Sequence, residues 1–411
     1  MGRIAPRFGR VEPRRQVSLM VRGLVAELPR TNCWTVAENA GQPNPYRMQH
    51  LLSRASWDHD GVRDDLRGYL IEHLGDPDAV LVIDETGDVK KGEHTVGVQR
   101  QYTGTAGRIE NAQVAVYLTY ATDRGHAFID RTLYLPKSWT GDEHRCADAG
   151  VPAGTSFKTK PTLAGEMIGR ALDAGTPARW VAADEVYGND PALGELLRGR
   201  GVGHVLAVAS NHRVDAGFGR REARSLVAAL PAHAWQIRSA GQGSKGQRWY
   251  EWALIGIDEP GPGKHRLLIR RSVSGELAFY RCWTPEPVPL AALVRVAGTR
   301  WRIEENFQAA KGLAALDQHQ VRTWTSWHRW TILAMLAHAF LAVLTVAERT
   351  RDTVMHKLIP LTCNEIRHLF VSLIDHARRD ITHLLCWSRW RRQHQARARA
   401  CQYRRRETAL P

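Results

Sequence analysis

The chain has 411 residues, with 57 Lys plus Arg against 42 Asp plus Glu, a formal net charge of +15 and a pI near 9.9. That length excludes a small binding module and allows two or three compact units around a large core. The basic balance favours a polyanionic partner held through salt-sensitive counterion release.

Residues 1–75 alternate apolar and charged positions at helical spacing, with Thr31-Asn32 as a helix start and 41–45 as a break, which predicts a helical N-terminal DNA-binding region. Within it, 35–41 followed by 46–52 suits a DNA-reading helix-turn-helix, and equally an ordinary helical pair packed on the core. From residue 79 the pattern turns to strands at 79–83, 113–121 and 127–135, then a helix at 160–174, a strand at 179–183, a helix at 191–198 and a strand at 204–208. Three meandering strands followed by alternating helix and strand is the order of an RNase H-like mixed-sheet α/β fold. The predicted catalytic core is therefore 76–210 with 290–347, interrupted by a β-rich insertion at 211–289 with strands near 235–239, 249–257, 266–273 and 277–283. Residues 348–411 read as a helical, basic C-terminal region, ending in an Arg-rich run from 389 to 406 that is a solvated end or a nonspecific phosphate contact.

Asp84 closes the apolar run 79–83, Asp184 closes 180–183, and Glu304 stands in a helical segment, 300–311. Two buried strands and one helix can converge three carboxylates on a pair of hard divalent cations, so Asp84, Asp184 and Glu304 are the candidate catalytic and metal-holding residues. Arg300, Glu304 and Lys311 are separated by four and seven residues, near-integral helical turns, so cations flank the carboxylate on one face. Glu305, about 100° round that helix, and Glu185, beyond the strand end, are second choices.

The chain resembles the DDE transposases of bacterial insertion sequences. The resemblance rests on Val82-Ile83-Asp84-Glu85-Thr86-Gly87 with Lys90-Lys91-Gly92, on Gly97-Val98-Gln99-Arg100-Gln101-Tyr102-Thr103-Gly104, on Leu133-Tyr134-Leu135-Pro136 and on Ala183-Asp184-Glu185-Val186-Tyr187-Gly188. To these it adds Arg300, Glu304 and Lys311, and it runs in order over roughly residues 30–345. It implies an RNase H-like core, cut-and-paste strand transfer, and two Mg²⁺ or Mn²⁺ ions, with Asp84 bridging both, Asp184 holding one and Glu304 the other. It further implies terminal inverted repeats and target DNA as partners, a dimer on DNA, no membrane and no nucleotide cofactor, in a cytoplasmic protein that is nucleoid-associated when bound to DNA. Arg300 and Lys311 would clamp phosphates, with Lys90 and Lys91 as further DNA contacts. The family's Tyr three positions before the Arg is here Ala297, a departure that bears on the DNA backbone beside the cleaved strand. The rival readings are an RNase H-like nuclease without strand transfer and a domesticated DNA-binding protein.

Several other signals read as structural. The glycine run 241–246 matches a dinucleotide fingerprint but precedes a strand instead of a helix, so it predicts a hairpin presenting Lys245 and Arg248 to DNA. Trp324, Trp327 and Trp330 form a core stripe, and the apolar stretch 331–347 reads as a buried helix on the core sheet rather than a membrane span. Six separated cysteines without a Cys-x-x-Cys pair predict reduced thiols, the N-terminus carries charge without an apolar run, and none of the 18 histidines has ligand spacing.

Overall fold

A computed structural model describes residues 1–217, 219–243, 246–351, 360–374 and 381–407. The chain divides into two compact units, one of Met1–Val62 with Ala310–Pro411 and one of Arg63–Ala309.

The chain opens with helices α1 (Val11–Val25), α2 (Cys33–Asn39), α3 (Tyr46–Ser53) and α4 (His59–Leu74). Asn32 starts α2 in a reciprocal capping box with Thr35, so the expected start signal is the physical one. Next come β1 (Val80–Val89), β2 (Gln99–Thr103), β3 (Arg108–Ala121) and β4 (His126–Leu133), then short helices α5 (Lys137–Thr140) and α6 (Glu143–Asp148). Helix α7 (Lys160–Asp173), β5 (Trp180–Ala183), α8 (Glu185–Gly188), α9 (Pro191–Gly199) and β6 (Gly203–Val208) complete the alternation.

The sheet order places β4 and β2 on the outer side of β3, then β1, β5 and β6, with β1 antiparallel to β3 and parallel to β5, and β5 parallel to β6. That is the RNase H-like arrangement. Its central strands are apolar on both faces: Val80 to Ile83 and Trp180 to Ala183 are all at most 2% exposed, each large side chain contributing about 1.5–3 kcal/mol.

Two expectations change here. Strand β1 does not end at Ile83: its parallel pairing with β5 stops at Ile83 opposite Ala183, but its antiparallel pairing with β3 continues to Val89. Asp84 is thus a strand end towards β5 and mid-strand towards β3. Beside a two-stranded sheet of its own, the insertion also adds strands to the core sheet. After β7 (Arg213–Asp215), β8 (Arg220–Glu222) and α10 (Ala223–Leu226), strands β9 (Gln236–Gly243), β10 (Gly246–Gly256), β11 (Lys264–Arg271) and β12 (Leu277–Thr284) extend it, because β12 pairs antiparallel with β6. Val208, Val214, Ala223, Ile257, Leu267, Ile269 and Phe279 fill the core beneath that extension. Residues 244 and 245, between β9 and β10 in the chain, lie outside the described residues.

Helices α11 (Leu290–Thr299) and α12 (Trp301–Ala314) follow. Helix α12 is fixed to the sheet by Phe307 against Tyr117 and Phe128, and by buried Asn306, which donates to Thr119 Oγ1 at 2.9 Å. The remaining helices are α13 (Trp324–Arg351), α14 (Cys363–Ile374) and α15 (Ile381–Glu407). Helix α13 is long and apolar enough to cross a membrane, yet 72% of its most apolar window is buried in the protein. Its apolar surface is filled by α1, α3 and α14 of its own unit, where the sequence suggested the core sheet. Of the expected tryptophan stripe, Trp327 and Trp330 are 1% exposed and in the core, whereas Trp324 is only half-buried.

Candidate active site

Because Ile83 and Ala183 are neighbours in a parallel pair, the residues that follow them, Asp84 and Asp184, leave the same end of adjacent strands. Asp84 Oδ1 accepts from the Glu85 amide at 2.8 Å. Asp184 caps α8, its Oδ1 accepting from the Val186 amide at 3.0 Å. Glu304 comes from α12, whose Ile303 is fully buried against the fold, and Arg300 joins the groups: Nη1 lies 3.4 Å from Asp84 Oδ2 and Nη2 lies 3.5 Å from Glu304 Oε1.

The electrostatics follow from crowding. Burial pushes the Asp84 carboxyl up to about 8, the Asp184 and Glu85 charges push the same way, and Arg300 offsets only part of this. Asp184 is likewise raised, first by burial and then by Glu85. Arg300, the cation set between Asp84 and Glu304, is too little to offset this crowding of carboxyl groups. All the donors are hard oxygens, so the residues fit a divalent cation of the Mg²⁺ class. Among the described residues, no group of three or more acidic, His or Cys side chains stands as a preformed cage.

Glu85 was quoted in the sequence only as part of a motif, and it proves central. Its Oε1 lies 2.6 Å from Lys160 Nζ, and its Oε2 accepts from the fully buried Tyr187 hydroxyl at 2.5 Å. Tyr187 thereby ties the turn after Asp184 to the strand that carries Asp84. The signal available was the Tyr three residues beyond Asp184, whose partner is 102 positions away.

The second-choice acids are occupied elsewhere or face outward. Glu305 meets His126 Nε2 at 3.2 Å and Arg302 Nη1 at 2.8 Å. Burial would raise Glu305, but these partners outweigh it and bring it down to about 2. Glu185 is exposed at the start of α8.

The cations expected on DNA are scattered. Arg300 is engaged by the carboxylates. Lys311 is half-buried on α12, Lys90 sits 4.0 Å from Asp88, Lys91 is exposed, and Lys245 lies outside the described residues. Arg248, expected to face DNA, here turns inward and donates to the carbonyls of Ala240 at 2.6 Å and Gly298 at 3.0 Å. It thus pins the hairpin to the last turn of α11, where added bulk at Gly298 would meet Ala240 O at 2.1 Å. Arg248→Ala is therefore expected to lower stability by about 1–3 kcal/mol, through the loss of both hydrogen bonds. Denaturant unfolding checks this, and parent stability together with weakened DNA binding would restore the solvent-facing role.

The DDE superfamily endonuclease profile matches residues 3–225, more than half of the chain and including both Asp84 and Asp184. This chain belongs to the DDE superfamily endonucleases. It is similar to the probable transposase for insertion sequence element IS701 from Microchaete diplosiphon, at 30% identity over 199 residues, covering 47% of this chain and 48% of that one. The chain thus matches about half the length of that curated relative. A piggyBac transposase, solved as a synaptic complex with hairpin DNA, aligns at 12% identity and a TM-score of 0.42, over 91% of this chain and 75% of that chain.

Proposed function

We propose that the protein is a DDE transposase that cuts DNA at the ends of its element and joins the freed 3′ hydroxyls to target DNA. The observation that carries this reading is the linkage of Asp84 and Glu304 through one arginine, beside Asp184, at the open end of the parallel strands. In the mechanism, Asp84, Asp184 and Glu304 are the catalytic carboxylates. They would hold two Mg²⁺ or Mn²⁺ ions, which supply an activated water or 3′ hydroxyl and neutralise charge on the leaving oxygen. Arg300 keeps Asp84 and Glu304 turned towards one another before DNA arrives, and Glu85 with Tyr187 holds the Asp184 turn against β1.

DNA would be held by the N-terminal helices, by Lys90, Lys91, Lys245 and Lys311, and by the exposed edge of the hairpin. There Ile237 and Trp249 are 71% and 56% exposed on a groove of about 280 Å³ shared with Arg238 and α11. An indole so placed suits stacking on an unpaired base. Two ends must be brought together, so the working form is a dimer on DNA, in the cytoplasm and on the nucleoid.

A mini-transposon assay tests the reading. With Mg²⁺ or Mn²⁺, end cleavage followed by joined products is expected, and Ca²⁺ should support end binding without cutting, since its looser coordination misplaces the reacting oxygens. Cleavage without joining would make the protein a nuclease, and end binding without cleavage a DNA-binding protein.

A further inference from the structure

Helix α15 is moored at one end and exposed directly beyond the mooring. His383 Nε2 lies 3.0 Å from Glu38 O, the indole of fully buried Trp387 donates to Gln42 O at 2.7 Å, and Arg391 pairs with Glu38. Trp390 packs edge-on against Trp34 at 4.6 Å and Tyr46 at 6.2 Å, and His394 also packs against Trp34, at 4.8 Å. Positions 383, 387, 390, 391 and 394 form one helical stripe, and it grips the corner where α2 leads into α3.

Beyond that stripe the helix continues from 395 to 407, about 20 Å at 1.5 Å per residue. Every residue from 392 to 401 is exposed, and Arg392, Arg397 and Arg399 lie among them. Arg392 and Arg399, seven residues apart, share the face opposite the mooring stripe, while Arg397 stands on a flank. From Arg389 to the helix end there are eight arginines and one acid, Glu407. Side chains 395 to 401 are exposed and gain nothing from burial, and the segment gathers like charge, which suits a polyanion.

We propose that the outer half of α15 is a duplex-DNA arm, lying along the phosphate backbone beside the DNA that α3 engages. Tyr46, the first residue of α3, belongs to the Trp390 cluster, so arm and helix are braced in one corner. The exposed face of α3 carries Arg47, Gln49, His50 and Arg54, which suits base edges or phosphates, whereas the arm offers only sequence-independent charge. A reach of about 20 Å corresponds to roughly six base pairs, so the arm would lengthen the footprint by about half a turn. This inference rests on the DNA-acting reading above and adds a second contact to it.

The test uses the full chain and a 30-base-pair mixed-sequence duplex, with anisotropy titrations from about 50 to 300 mM salt. Replacing Arg392, Arg397 and Arg399 together by Gln should reduce the slope of log affinity against log salt by about 2–3 and lower affinity at 100 mM salt by at least about tenfold. Replacing all three by Lys should keep the slope. All three side chains are exposed, so the far-ultraviolet spectrum and Tm should match the parent. An unchanged slope and affinity in the Gln variant would overturn the arm. So would an unchanged slope with lost self-association in sedimentation, which would assign the helix to a second copy of the chain. A parent protein that binds no duplex would sink the DNA-acting reading as well, whereas a parent that binds normally beside an unaltered variant would sink the arm alone.

Discussion

Asp84→Asn is expected to abolish strand cleavage, by at least about 1000-fold, and at the same time to make the metal-free protein more stable. The first effect follows from removing a charge that metal and transition state require; several kcal/mol of charge compensation corresponds to three or more decades of rate. The second follows from the same crowding. The Asp84 carboxyl is pushed up to about 8 by burial, reinforced by Asp184 and Glu85, against 3.8 ordinarily. Its folded-state value is raised, so the fold holds a proton that the unfolded chain releases above pH 4. Stability is lost as pH climbs from about 4 to 8, and the full cost of a buried charge is present above that window. The ceiling on this cost is about 6 kcal/mol, and an Asn of the same shape should recover about half of it at pH 8, a Tm rise of roughly 3–6 °C. Mg²⁺ should raise the Tm of the parent at pH 8 and leave that of Asp84→Asn nearly unmoved. Asp184→Asn and Glu304→Gln should likewise lose cleavage and keep end binding. A variant that still cuts removes its residue from the triad, and a Tm for Asp84→Asn below the parent's removes the electrostatic account.

Gly188→Ala is expected to be the most damaging single methyl group near the site. A Cβ there would stand 1.8 Å from the carbonyl oxygen of Ala207, and that oxygen belongs to β6, locked between β5 and β12. Neither backbone can yield cheaply, so the short helix that begins at Asp184 must lift away. With it goes Tyr187, and the hydrogen bond to Glu85 that braces the two strands. A loss of about 3 kcal/mol or more is expected, together with cleavage reduced out of proportion to the unfolded fraction. Gly312→Ala, on α12 with open space around its Cβ, is the control; it should be neutral or stabilising by up to about 1 kcal/mol. Parent-like melting and cleavage in Gly188→Ala would show that α8 need not sit against β6.

The strands that lead to Asp84 and Asp184 and the helix that carries Glu304 were legible in the sequence because each depends on a local pattern. An apolar run long enough for one buried strand reads as such without its neighbours, and residues four or seven apart share a helix face in any helix. The RNase H-like strand order followed for the same reason, since short connections constrain which strands pair. What the sequence left open depends on partners far along the chain. Strand β1 continues past Asp84 only because β3 offers hydrogen bonds out to Ala112. The insertion strands join the core sheet because β12 finds the free edge of β6, a pairing across some 75 residues that no local periodicity encodes. Arg248, read as a solvent-facing cation from its hairpin setting, turns inward because the end of α11 presents a carbonyl that it can reach. Glu85 and Glu305 show the same division: in sequence they are equivalent acidic neighbours of the triad, and tertiary structure gives one a tyrosine and a lysine beside the carboxylates and the other a histidine and an arginine apart from them. Local spacing decides which way a side chain leaves its element, and only the assembled fold decides which charges it meets, and so what its carboxylate can do.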